Sequence, residues 1–343
     1  MSTTIEQMTE QANAYLDSSR INEAKALFAE ICQKDASNAE AWLMLGAING
    51  QTGMIDEAVS CTRRAIGIDP GYAEAHFTLA QILSAQGDLP GAKAAAENAT
   101  EADPAYDAAF LFLSGVYGQL GDIEQAKAAN RKVIEISPDN PEAQINLGNI
   151  LQMQGHYYEA ESAFRQALLY NPNLASALSN LGSVLIAQQR FDEAREHLQR
   201  AVELAPNLAE AHNNLGLAQM SMEDLDNALA SFNRALALSP NDARAHANIG
   251  NIHIQNEAYE EAIERLNKAL ELSPTLAEAW LALGNAYNLS GDKDAARTHY
   301  EKAINVQPDY AAAYRILGML EEDLGNTERA EICHKEADRI EAM

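Results

Sequence analysis

Eight of the ten prolines, Pro70, Pro104, Pro138, Pro172, Pro206, Pro240, Pro274 and Pro308, stand 34 residues apart without one insertion. So strict a period means one short motif copied along the chain. Copies of that size cannot bury an apolar face alone, so they must stack on their neighbours. With the proline at position 32, the repeats run 5–38, 39–72, 73–106, 107–140, 141–174, 175–208, 209–242, 243–276, 277–310 and 311–343, after a four-residue leader, 1–4. The ten together are expected to form one solenoid domain.

Other positions keep the same phase. Position 20 is alanine in all ten repeats, from Ala24 and Ala58 to Ala296 and Ala330. Position 8 is always small: Gly46, Gly148, Gly182, Gly216, Gly250, Gly284 and Gly318, with Ala12, Ala80 and Ser114 in the others. These two positions predict a helix crossing at which neither helix spends a side chain. In repeat 277–310, Trp280, Leu283, Gly284 and Tyr287 recur at i, i+3, i+4 and i+7, which is one face of a helix. Ala296, Tyr300 and Ala303 mark a second helix, Gly291 the turn between the two, and Pro308 the stop. The remaining prolines, Pro90 at position 18 and Pro141 at position 1, fall in first turns, where a missing N–H costs nothing. The turn glycine is replaced by Gln189, Glu223 and Glu257 in three successive repeats. A differently shaped turn is expected there, or a cost of about 1 kcal/mol each if the residue needs a positive φ.

Trp280-x-x-Leu283-Gly284-x-x-Tyr287, then Ala296-x-x-x-Tyr300-x-x-Ala303, then Pro308, resembles the tetratricopeptide repeat pattern, and the match in phase extends over residues 5–343. The resemblance implies an all-α fold, a right-handed superhelix of ten antiparallel helix pairs. It also implies that the first helix of each pair lines a concave groove through positions 2, 5, 6, 9, 12 and 13.

Fifty acidic residues against 24 basic ones give a formal charge of -26. Nucleic acid is therefore not an expected partner, because affinity for it comes mostly from Lys and Arg on phosphates. Much of the acidity has a structural reading: Asp56, Glu57, Asp88, Asp122, Asp192, Glu193, Asp224, Asp226, Glu260, Glu261, Asp292 and Asp294 gather at the start of the second helix, where carboxylates complement its dipole. No apolar run reaches the roughly 18 residues of a membrane span, and the opening MSTTIEQMTEQANAY is not a secretory signal, so no membrane partner and a cytoplasmic location are expected. Cys32, Cys61 and Cys333 lack both even number and metal-type spacing.

No catalytic signature is present: there is no phosphate-binding GxxxxGK[ST], no GxGxxG, no HExxH and no CxxC. His246 and His253 lie two turns apart on one face, but they occupy positions 4 and 11, where other repeats carry Trp280, Phe110, Tyr117 or Tyr287, and His76 and His212 also stand at position 4. They read as packing residues with a polar tip. No enzymatic activity, metal or cofactor is expected.

The predicted groove divides into two zones. Leu43, Met44, Phe77, Leu111 and Phe112, in repeats two to four, form an apolar patch that the repeat core does not require, and such patches mark partner contact. Contact with a neighbouring helix is the other reading of the same residues. In repeats five to eight, Asn146, Asn180, Asn214 and Asn248 recur at position 6, with Asn149, Asn251 and Asn285 at position 9. An amide both donates and accepts, so a row of them can pair with the backbone of an extended peptide whatever its side chains. The row is similar to the asparagine ladder in the repeat arm of protein O-linked N-acetylglucosamine transferases, which holds substrate polypeptide. A carboxylate clamp of the kind the family uses for acidic C-termini is not expected, since positions 2, 5 and 6 hold residues such as Glu142, Ser179 and Asn213, with only Arg244 and Arg315 positive. The expected function is a non-enzymatic scaffold that binds extended segments of other proteins. The alternative is the substrate-recognition arm of a glycosyltransferase or sulfotransferase whose catalytic part lies outside this chain.

Overall fold

The computed structural model describes residues 4–342. Residues 1–3 of the leader, and Met343 of the last repeat, lie outside that range. Twenty helices follow one another, with no strand among the described residues. The first helices of the pairs are α1 (Ile5–Asp17), α3 (Ala39–Gln51), α5 (Ala73–Ala85), α7 (Asp107–Leu120), α9 (Pro141–Met153), α11 (Ala175–Ala187), α13 (Ala209–Ser221), α15 (Ala243–Gln255), α17 (Ala277–Ser290) and α19 (Ala311–Asp323). The second helices are α2 (Ile21–Lys34), α4 (Ile55–Ile68), α6 (Leu89–Ala102), α8 (Ile123–Ile136), α10 (Tyr157–Tyr170), α12 (Phe191–Leu204), α14 (Leu225–Leu238), α16 (Tyr259–Leu272), α18 (Lys293–Val306) and α20 (Thr327–Glu341). Every first helix starts at position 1 of its repeat and every second helix at position 17. The chain forms two compact units, one ending at Tyr170 and the other beginning at Asn171, each with five helix pairs.

The helix ends have local causes. Thr4 closes a capping box with Gln7 on α1, and Asn38, Asn140 and Asp242 cap α3, α9 and α15 through their side chains. Among the acids at the second helices, Asp88 accepts from Gly91 N and Asp292 from Ala295 N. Asp69, ahead of Pro70, is extended with φ −127° and ψ 95°, because the proline ring pushes the preceding residue out of the helical region and ends α4.

The turns correct one expectation. Gln189, Glu223 and Glu257 have φ of 60°, 62° and 59°, in the same left-handed region as Gly53, Gly87, Gly121, Gly155, Gly291 and Gly325. The turn keeps its shape and the side chain bears the strain, because the path from first to second helix is dictated by packing on both sides. Ser19, with φ 57°, is a fourth such residue that the pattern did not single out.

Packing within a pair is tight where the small residues recur. All ten alanines at position 20 are buried. The expectation that neither helix spends a side chain at the crossing is corrected at position 8. A Cβ on Gly148, Gly182, Gly216, Gly250, Gly284 or Gly318 would overlap Phe164, Leu198, Phe232, Leu266, Tyr300 or His334, each sixteen residues on. The second helix sends a large side chain into the notch the glycine leaves. Where position 8 is Ser114 instead, the partner is Asn130, whose amide donates to the serine hydroxyl.

Position 4 shows what the polar tips do. His76 Nε2, His212 Nε2 and His246 Nε2 lie 2.9, 3.0 and 3.2 Å from the carbonyls of Pro70, Pro206 and Pro240, and Trp280 Nε1 donates to the Pro274 carbonyl at 2.9 Å. A carbonyl only accepts, so each histidine carries its proton on Nε2. Trp42 donates likewise to Ala36, which stands at position 32 of the first repeat. One side chain thus ties each of these helices to the loop before it.

Candidate functional site

Among the described residues, the first helices of consecutive pairs approach one another at α3 and α5 in the first unit and at α11, α13, α15 and α17 in succession in the second, and no second helix approaches the next second helix as closely. Where they approach, the first helices lie on the inner side of the local curvature.

In the unit that begins at Asn171, the position 6 amides stand on adjacent helices, but their states differ. Asn214 is buried, with Nδ2 3.4 Å from Ser179 Oγ on α11. Asn180 is half-buried and already engaged within the protein. Asn248 and Asn251, one turn apart on α15, are half-buried and make no side-chain hydrogen bond with any described residue. Asn285 accepts from Tyr300 Oη at 2.9 Å, and burial pushes that phenol up to about 12. The amides are therefore not equally available: tertiary contacts occupy Asn214 and Asn285, because the neighbouring helix presents a hydroxyl to each. In the other unit, Asn146 is half-buried and without a side-chain partner among the described residues, and Asn149 is engaged.

The apolar patch also divides. Leu43 is 5% exposed and packs with Ala65 and Ala75, so the repeat core does require it. Met44 packs against the core around Met8, Phe28 and Ile31. Phe77 stays half-buried, its ring edge-on to Tyr106 at 5.2 Å and to Phe112 at 5.6 Å, and Leu111 and Phe112 are half-buried too. One turn along α3 and α5 from these residues lies a depression of about 310 Å³, lined by Ala47, Gly50, Gln51, Thr78, Gln81 and Ala85 at positions 6, 9, 12 and 13, with Ile55 and Ile82. The sequence reading missed it, although small residues at positions 9 and 12 were its signal.

The charge on this side of the first unit is of one sign. Helices α1, α3, α5, α7 and α9 carry Glu6, Glu10, Asp17, Glu40, Glu74, Asp107 and Glu142, and not one Lys or Arg. In the second unit, Arg315 is held by Asp338 and Glu341.

No group of three or more His, Cys, Asp or Glu residues among the described residues is arranged to hold a metal ion. Cys32, Cys61 and Cys333 are free and buried, and burial raises each thiol, that of Cys32 to about 11, which keeps them protonated and poorly nucleophilic.

Family models described as tetratricopeptide repeat match residues 9–73, 51–110, 83–145, 139–207, 173–241, 219–268 and 277–310, and one described as TPR repeat matches 250–291. No curated protein sequence matches the chain. Among solved structures, the fold is similar to a chain of the APC/C hetero-tetramer Cut9–Hcn1, with 17% identity and a TM-score of 0.63 over 92% of this chain and 76% of that one. A tetratricopeptide repeat protein from Parabacteroides merdae matches with 17% identity and a TM-score of 0.59 over 72% and 98%. Pseudomonas aeruginosa pilF matches with 26% identity and a TM-score of 0.52 over 60% and 93%.

Proposed function

The chain belongs to the tetratricopeptide repeat family, and on that premise we propose that it is a non-enzymatic scaffold holding extended segments of other proteins against its first-helix face. The observation that carries this reading is the pair Asn248 and Asn251, two half-buried amides that no described residue satisfies. A buried amide without a partner is costly, and one at an open face is satisfied by water or by a ligand. Each amide can accept from a peptide N–H and donate to a peptide C=O, so the pair reads backbone and tolerates sequence. The helix holds them in place before the ligand arrives, which lowers the ordering cost of binding. Because water competes for the same groups, each pairing contributes about 0.5–1.5 kcal/mol net.

The test begins with a partner segment captured from extract and mapped to a synthetic peptide. Calorimetry on the Asn248→Ala/Asn251→Ala variant is expected to show affinity reduced by about 1–3 kcal/mol with unchanged stability. The Asn214→Ala/Asn285→Ala variant should instead lose stability, since those amides serve Ser179 and Tyr300. Full affinity in the Asn248/Asn251 variant would remove the basis of the proposal.

A further inference from the structure

The depression between α3 and α5 is one that the repeat itself does not call for. Position 12 of its repeat is Gly50, and in the next two repeats Ser84 and Gly118, whereas α11, α13 and α15 carry Ile186, Met220 and Ile254 at that position, each half-buried. Gly50 lies inside α3 and is not among the glycines with positive φ. A Cβ there would meet Ile82 Cγ1 at 3.5 Å and Ala58 Cβ at 3.9 Å, which is ordinary van der Waals contact. Neither backbone nor packing demands glycine, and a glycine in a helix interior is less stable than alanine. The free protein gains nothing from the opening.

Charge decides what could fill it. The three basic residues of residues 39–106, Arg63, Arg64 and Lys93, all stand on the second helices α4 and α6. Arg64 lies over the Trp42 ring at 4.6 Å and Lys93 pairs with Asp122 at 3.3 Å. On the inner side, α3 and α5 offer Glu40 and Glu74, both exposed, and no cation. The lining itself is uncharged, with Ala47, Ile55, Ile82 and Ala85 as its apolar part and Thr78, Gln51 and Gln81 as its polar part.

We propose that this depression is an anchor subsite for one aliphatic side chain, of leucine or methionine size, on an extended segment of a partner protein that carries lysine or arginine on either side of the anchor. The inference rests on the reading of the first-helix face as a peptide-binding surface. The anchor is held by removal of its apolar surface from water, and the flanking cations are drawn by a face that carries only carboxylates. An acidic segment is repelled by the same face.

The probe is a fluorescein-labelled heptapeptide, Lys-Ala-Lys-Leu-Lys-Ala-Lys, with two controls: glycine in place of leucine, and glutamate in place of every lysine. Anisotropy titrations of the full chain are expected to show saturable binding of the leucine peptide, binding at least about tenfold weaker for the glycine peptide, and none for the glutamate peptide. Gly50→Met, which fills the opening as Met220 does elsewhere, should bring the leucine peptide down to the affinity of the glycine peptide and leave the latter unchanged. Gly50→Ala, a more stable helix with most of the opening intact, should retain binding and shows that loss in Gly50→Met is not loss of fold. Equal affinity for leucine and glycine peptides, no saturable binding of the leucine peptide, or an unaltered preference in Gly50→Met would each overturn the subsite. A partner segment weakened by Asn248→Ala/Asn251→Ala but indifferent to Gly50→Met would overturn it while leaving the peptide-scaffold reading in place.

Discussion

At the scale of single residues, the recurring small positions are two halves of one device. Ala194 is fully buried in α12 and Glu196, two residues on, is exposed. Ala194→Leu is expected to overpack the crossing and cost about 1–3 kcal/mol, while Glu196→Leu should fall within about 0.5 kcal/mol of the parent, both read from denaturant unfolding. Equal losses would place the helix register wrongly. The notch at Gly182 is filled by Leu198, so Gly182→Ala creates overlap and Leu198→Ala a cavity. The third repeat already combines Ala80 with Ala96 at these positions, both buried. The double variant should therefore be more stable than the sum of the single losses predicts, by about 0.5–3 kcal/mol in a double-mutant cycle. Strict additivity would mean that the two positions do not share one space.

At the scale of helices and turns, strain and charge have been placed where neighbouring elements enforce them. Gln189, Glu223 and Glu257 adopt the left-handed turn without the freedom of glycine. Replacing all three by glycine is expected to raise the thermal midpoint, with up to about 1 kcal/mol from each turn, because the side chain's steric penalty disappears. No change would mean that local contacts of these side chains offset the strain. The C-terminal pairs hold the other case. Glu321 on α19 is fully buried, 2.8 Å from Arg297 Nε on α18 and 3.2 Å from Arg329 Nε on α20, and it accepts from Asn326 Nδ2 at 2.6 Å. Burial pushes this carboxyl up, but the hydrogen bonds from Arg297 and Asn326 and the charge of Arg329 outweigh it and hold it below the ordinary range. A folded pKa below the unfolded one makes the contribution complete above the ordinary value of 4.5 and lost as pH falls through the lower folded value. Stability should therefore drop on acidification below that value in the parent. Glu321→Gln should lose about 3 kcal/mol near neutrality, leaving Arg297 and Arg329 only the more exposed Asp294 and Glu301, and show a shallower acid decline.

At the scale of the whole molecule, the chain has an excess of 26 negative charges, and the first helices of the two units differ in charge. First helices up to Tyr170 carry only acids, whereas those beyond it include Arg244 among Glu210 and Glu278. Binding that depends on Gly50 should weaken sharply with added salt, because it draws on exposed opposite charges. Binding that depends on Asn248 and Asn251 should change little, since it uses neutral amides. Calorimetry at two salt concentrations on the Gly50→Met and Asn248→Ala/Asn251→Ala variants separates the two; the same salt response in both would show that charge does not distinguish the faces.

The period of the prolines was enough to place all twenty helices, because a repeat that must stack on its neighbours leaves its register in every copy. Position 20 and position 8 announced the crossing for the same reason. Which amides remain free was not legible, because Asn214 and Asn248 occupy the same repeat position and differ only in whether a neighbouring helix offers a hydroxyl. Leu43 and Phe77 likewise share position 5, yet one is core and the other half-open. At Gln189, Glu223 and Glu257 the sequence left two turn shapes open, because local preference argues against a positive φ there and packing overrules it. Repetition, written into sequence, determined the architecture. The depression at Gly50 and the surviving amides were decided only by what the next helix brings into contact, which no single repeat contains.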